Sequence, residues 1–210
     1  MKRHQYGFTL TEVLVAVAIA SLLLVALVGF VRSARGTALA SEAASEITTT
    51  LRLAVELLRE ELLLAGSAPW PLPEDAGAVE GLEGAETSAQ FLAQGLQVRA
   101  VPGGHALRLV YLDDRVAGRP VARYLTFEAA ADGQGQPQLY RRSGGSPRQP
   151  WVGGVEEMVV VGAVTAPGEL VGVGSLPGNR VRALWLELSA AGVTTRALFE
   201  LPHAPWVVAP

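Results

Sequence analysis

Gly7-Phe8-Thr9-Leu10-Thr11-Glu12-Val13-Leu14-Val15-Ala16 decides how this chain folds, because it opens a long apolar run and sets a carboxylate, Glu12, at the mouth of it. Lys2, Arg3 and His4 form a short basic head before it, and nineteen uncharged residues follow from Val13 to Val31. As a helix rising about 1.5 Å per residue, those nineteen cross about 28 Å, close to the hydrocarbon thickness of a bilayer.

The helical period continues where a membrane would end. Ile47, Leu51, Val55, Leu58, Leu62 and Ala65 recur at spacings of four, four, three, four and three, with Arg52, Glu56, Arg59 and Glu60 between them. Gly66 suits the residue that closes a helix, and Pro69, Pro71 and Pro73 bar its resumption. The pattern predicts one helix from about Phe8 to about Ala65, on the order of 87 Å long. Residues 8–31 form its membrane-spanning half and residues 32–66 its amphipathic half. A bilayer needs about a third of that length, so the amphipathic half is expected to pack on a globular domain.

Residues 67–95 are rich in Pro, Gly, Ala and acids, which predicts a long surface connection with at most a helical turn near 88–93. Beyond it the period drops to two. About seven strands are expected, at 96–101, 106–112, 121–128, 138–142, 155–161, 181–188 and 194–201, with hairpin turns at Pro102-Gly103-Gly104-His105, at residues 131–135 and around Ala190-Ala191-Gly192. A helix followed only by strands predicts an α+β fold: a long N-terminal helix packed on an antiparallel sheet, with residues 67–210 as the globular β domain.

The chain has 210 residues, half of them hydrophobic, and a formal net charge of -3, so it carries no general basic footprint for nucleic acid. The absence of cysteine excludes disulfides, thiolate metal sites and thiol catalysis. His105 and His203 read as exposed loop residues. Gly172 to Gly178 lacks the Lys-Ser/Thr of a phosphate loop, and Asp113-Asp114 reads as a solvated strand end rather than a calcium site. No enzyme activity, metal or cofactor is expected. Tyr140, Arg141, Arg142, Arg148 and Trp151 fall within twelve residues, the mixture that contacts single-stranded DNA, and make DNA a third-ranked partner.

A basic head, then Gly7-Phe8-Thr9-Leu10-Thr11-Glu12 and an apolar helix, resembles the type IV prepilin N-terminus shared by pilins and the pseudopilins of type II secretion. The resemblance implies that prepilin peptidase cuts between Gly7 and Phe8, so that residues 1–7 are a leader peptide and Phe8 is N-methylated. It implies that Glu12 meets the amine of a neighbouring subunit during assembly. A carboxylate at the centre of a bilayer costs about 2.5–3.5 kcal/mol, so such a partner has a physical motive. It further implies an inner-membrane protein with a periplasmic domain that passes from lipid into a pilus or pseudopilus at the cell surface. The partners implied are other minor and major pilins or pseudopilins, the peptidase and the inner-membrane assembly platform.

Two plainer readings leave residues unexplained. A secretory signal cut near Ala38-Leu39-Ala40 would carry Glu12, Arg32 and Arg35 where such signals are uncharged. A simple anchor gives no reason for Gly7-Phe8 or Glu12. Farther along, Leu139-Tyr140-Arg141-Arg142, the segment from Trp151 to Met158 and the segment from Arg180 to Leu186 resemble large minor pilins and the J-type minor pseudopilin. That resemblance implies a subunit that primes or caps assembly of a type IV pilus, with a type II secretion pseudopilin as the alternative and a DNA-uptake (competence) pilin contacting DNA as the third reading.

Overall fold

The computed structural model describes residues 9–68, 79–82, 96–113, 120–165, 170–172 and 181–202. The chain divides into two compact units, Met1–Glu46 and Ile47–Pro210. One helix, α1 (Leu10–Leu62), supplies all the described residues of the first unit except Thr9, and the opening element of the second. Between Leu10 and Val31 its apolar side chains are exposed, Leu22 and Val25 by about 70%. That stretch is long and apolar enough to cross a membrane. Ser21 does not interrupt it, because its hydroxyl donates to the Val17 carbonyl at 2.7 Å within the same helix. The helix also runs unbroken through Gly29.

In the second unit, the predicted stripe meets the core: Leu51, Val55, Leu58, Leu62 and Ala65 are buried, Ile47 packs against them, and Ala54 is buried beside them. The end of α1 follows from Gly66, whose φ of 73° suits glycine and whose N–H donates to the Val110 carbonyl at 2.8 Å. Among the described residues nine strands follow: β1 (Leu96–Val101), β2 (Gly104–Asp113), β3 (Val121–Ala131), β4 (Pro137–Ser143), β5 (Gln149–Gly153), β6 (Glu157–Thr165), β7 (Leu170–Val171), β8 (Val181–Ala190) and β9 (Val193–Glu200). They form one sheet in the order β5-β4-β3-β2-β6-β8-β9, with β1 beside β2 and β7 beside β6. The fold is α+β, as the order of elements predicts, and is consistent with the pilin-like fold that the resemblance implies.

The sheet is mixed rather than purely antiparallel. β1 to β5 form one antiparallel ribbon and β6 to β9 another, and they join through a single parallel pair, Gly104 with Met158. The cause is close approach: a Cβ on Gly104 would sit 2.3 Å from the Met158 carbonyl oxygen, so only glycine lets the two ribbons meet. His105 belongs to this seam. It is half-buried at the start of β2, not an exposed loop residue, and its Nδ1 accepts from the Val160 N–H at 3.2 Å. His203 lies outside the described residues.

Two further expectations change. β5 and β7 lie outside the seven expected strands, raising the count to nine among the described residues. Part of the 67–95 connection is pinned to the sheet: Val79 is buried, and Glu80 bridges Val121, its carbonyl accepting from the Ala122 N–H at 2.8 Å. Val79 packs with Val110, Leu112, Ala122 and Tyr124 in a second, smaller core on the sheet face away from the main one. The turn near 88–93, Asp114 and residues 173–180 lie outside the described residues.

Candidate assembly site

Thr9 is the residue before the first helical position, and Glu12 is the third residue inside the helix. Their side chains form a capping box. The Glu12 N–H donates to Thr9 Oγ1 at 3.3 Å, while Glu12 Oε2 accepts from the Thr9 N–H at 2.8 Å and from the Thr9 hydroxyl at 2.9 Å. Two of the four N–H groups that a helix start leaves without partners are thereby satisfied. A carboxylate in the first turn also opposes the positive end of the helix dipole. The signal was readable as Thr9-Leu10-Thr11-Glu12, the Ser/Thr-x-x-Glu pattern, and Thr9 is the capping residue that a reading centred on charge overlooks.

This geometry answers part of the cost of an acid at the membrane. Both Glu12 hydrogen bonds fall on Oε2, and Oε1 has no hydrogen-bond partner among the described residues. The cap therefore engages one carboxylate oxygen and leaves the other. Thr9 and Glu12 both lie after the expected cut, so the cap survives it. Gly7 and Phe8 lie outside the described residues.

The five residues grouped as a DNA contact do not form one surface. In β4, Leu139 and Arg141 face the main core, and Arg141 Nη2 reaches Glu61 Oε1 of α1 at 2.9 Å. Trp151 is the extra residue of a β-bulge between β4 and β5 and packs against the core, its ring 5.1 Å from Phe127. Tyr140 and Arg142 face the other way. Arg148 stacks over the Tyr140 ring at 4.5 Å, and Arg148 and Arg142 approach Glu128 at 3.6 and 3.9 Å. The alternation of β4 divides the cluster. Asp113, the other site weighed from sequence, pairs with Arg123 at 3.6 Å. Among the described residues no group of three or more His, Asp or Glu side chains is placed to hold a metal.

No curated protein and no solved structure matches the chain. Residues 2–28 match the family model of the prokaryotic N-terminal methylation motif. The match runs from the basic head through the capping box and into the exposed apolar helix, fits an inner-membrane anchor, and implies processing by prepilin peptidase and assembly with other pilins. The chain thus carries the prepilin N-terminal methylation motif at residues 2–28, and that motif with the α+β domain behind it is consistent with a type IV prepilin-like protein.

Proposed function

We propose that this chain is a minor pilin-like structural subunit that primes or caps a type IV pilus after prepilin peptidase cuts between Gly7 and Phe8 and Phe8 is N-methylated. The observation that supports the reading is the state of α1. Its first half carries the methylation motif and leaves its apolar side chains uncovered, while its second half is built into a folded domain. In lipid that first half is solvated by acyl chains; in a filament neighbouring helices replace them. Glu12 then meets the methylated amine of an adjacent subunit through Oε1, with the domain in the periplasm before assembly and on the fibre afterwards. Other minor subunits, the major pilin and the inner-membrane platform are the partners.

Mass spectrometry of the mature chain tests the reading. A first residue of methylated Phe8 is expected, and a chain beginning at Ser41 would overturn it. Deleting the gene is expected to abolish twitching. Loss of exoprotein release with twitching intact would assign the subunit to a type II secretion pseudopilus instead.

A further inference from the structure

On the sheet face away from α1, register assembles a row that sequence distance conceals. Gln97 pairs with Arg108, Arg108 with Thr126, and Thr126 with Arg142, crossing β1, β2, β3 and β4 in one line. Arg99, two residues along β1, points to the same face. These residues line a groove of about 590 Å³, whose floor is made low by Ala106, Gly144 and Gly145. Arg108 and Arg142 stand two strands apart, so their Cα atoms are separated by about 10 Å with the Thr126 hydroxyl between them.

Charge is concentrated here against the trend of the chain, which carries 20 acids to 17 Lys and Arg. Arg59, Arg123, Arg141 and Arg196 each pair with a carboxylate elsewhere. Arg99 and Arg108 have no carboxylate partner among the described residues, and Arg108 is held by the Tyr124 ring, 4.5 Å from its guanidinium carbon. Glu128 is the single acid lining the groove among the described residues, and Arg142 shares it with Arg148 at long range. Arg99 and Arg142 are exposed and Arg108 is half-buried, so these like charges repel one another across the groove, and a bound anion would relieve that repulsion.

We propose that this groove binds a small phosphorylated ligand bearing at least two negative charges. One guanidinium fork matches one carboxylate, whereas several forks and a hydroxyl suit a tetrahedral oxyanion with more than two oxygens. The lining offers little to an apolar peptide anchor: Val101 and Ala106 are its aliphatic residues. The site does not depend on the assembly reading, and finding no methylated Phe8 would leave it untouched.

Calorimetry on the full chain in detergent at low ionic strength, with sodium pyrophosphate as the probe, tests it. Wild type is expected to bind, and Arg108→Gln and Arg142→Gln each to bind about tenfold more weakly. Arg182→Gln, an exposed arginine of β8 outside the groove, is expected to leave affinity unchanged. Thermal unfolding of every variant checks that the domain is intact. Glycerol phosphate, the soluble counterpart of a lipid headgroup, separates esterified from free phosphate: tighter binding than pyrophosphate assigns an ester, weaker binding a free anion, and either supports the site. No binding, or equal loss in Arg182→Gln, overturns it. A thymidine oligonucleotide bound through the same two arginines far more tightly than pyrophosphate would overturn it in favour of nucleic acid.

Discussion

Arg141 Nη2 lies 2.9 Å from Glu61 Oε1, an ion pair joining β4 to the last turn of α1 with less than a third of either side chain exposed. Arg141 Nε is buried beside it without a hydrogen bond among the described residues. Removing Glu61 leaves a desolvated guanidinium without its counterion, whereas Arg142 is half exposed and its contact is long. Glu61→Ala and Arg141→Ala should each cost about 1–3 kcal/mol, and Arg142→Ala less than about 0.5 kcal/mol. Denaturant unfolding followed by Trp fluorescence measures this, and a double-mutant cycle should show positive coupling between Glu61 and Arg141. DNA-binding tests on this chain therefore belong on Arg142 and Arg148, since replacing Arg141 also weakens the fold.

Gly104 and Gly144 both have positive φ, 106° and 56°, but only Gly104 meets an obstacle, the Met158 carbonyl oxygen at 2.3 Å from an added Cβ. Gly104→Ala should cost more than about 3 kcal/mol by forcing the seam open. Gly144→Ala should cost about 1 kcal/mol, the backbone penalty alone. Similar losses for the two would show that the close approach at Met158 is relieved without strain.

The β8–β9 turn has φ of 47° at Ala191 and 78° at Gly192, the two positive values of a type I′ hairpin. Alanine is strained there. Ala191→Asn or Ala191→Gly should stabilise by about 0.5–1 kcal/mol, read as a higher Tm, because both residues tolerate that conformation. An unchanged or lower Tm in both variants would contradict the assignment.

Tyr111, half-buried on β2, has its phenol pKa raised above the ordinary value of 10.0, first by burial and then by the charges of Glu61 and Asp113. The folded chain thus favours the neutral phenol. The associated stability is whole below about pH 10 and is lost as pH rises through the raised value. Tyr111→Phe should flatten the alkaline decline of Tm above about pH 10 without a matching change at neutral pH. A decline as steep as in wild type would place the titration elsewhere.

Thr9 and Glu12 share one capping box but not one proposed role. Thr9→Val should loosen the first turn of α1 by about 1 kcal/mol and leave recruitment by partner pilins near wild type. Glu12→Gln keeps side-chain oxygen for the cap but removes the charge, and should lose recruitment. Co-purification with partner subunits measures both; equal loss in the two variants would reduce the acid to a helix cap.

The stripe Leu51, Val55, Leu58 and Leu62 was legible because it recurs with the period of the helix that buries it. β5 was not, since Pro150 and the bulge at Trp151 break the alternation that announces a strand. β7 has two residues and no period to read. His105 beside Gly103-Gly104 looks like a turn until β6, more than fifty residues on, is brought against it. The same limit hides the arginine groove. Arg99, Arg108 and Arg142 are neighbours through strand register, while Arg141 and Arg142, adjacent in sequence, face opposite sides of the sheet.

The narrow seam between the two ribbons gives α1 a mechanical part. Two residues apart on its last turns, Glu61 holds Arg141 in one ribbon, and Arg59 lies over the Phe199 ring of the other, 5.9 Å from its centroid. Tension applied along the helix therefore reaches both ribbons together and loads them in shear, instead of peeling them apart at Gly104 and Met158. The helix splints the sheet at the line where it would otherwise tear.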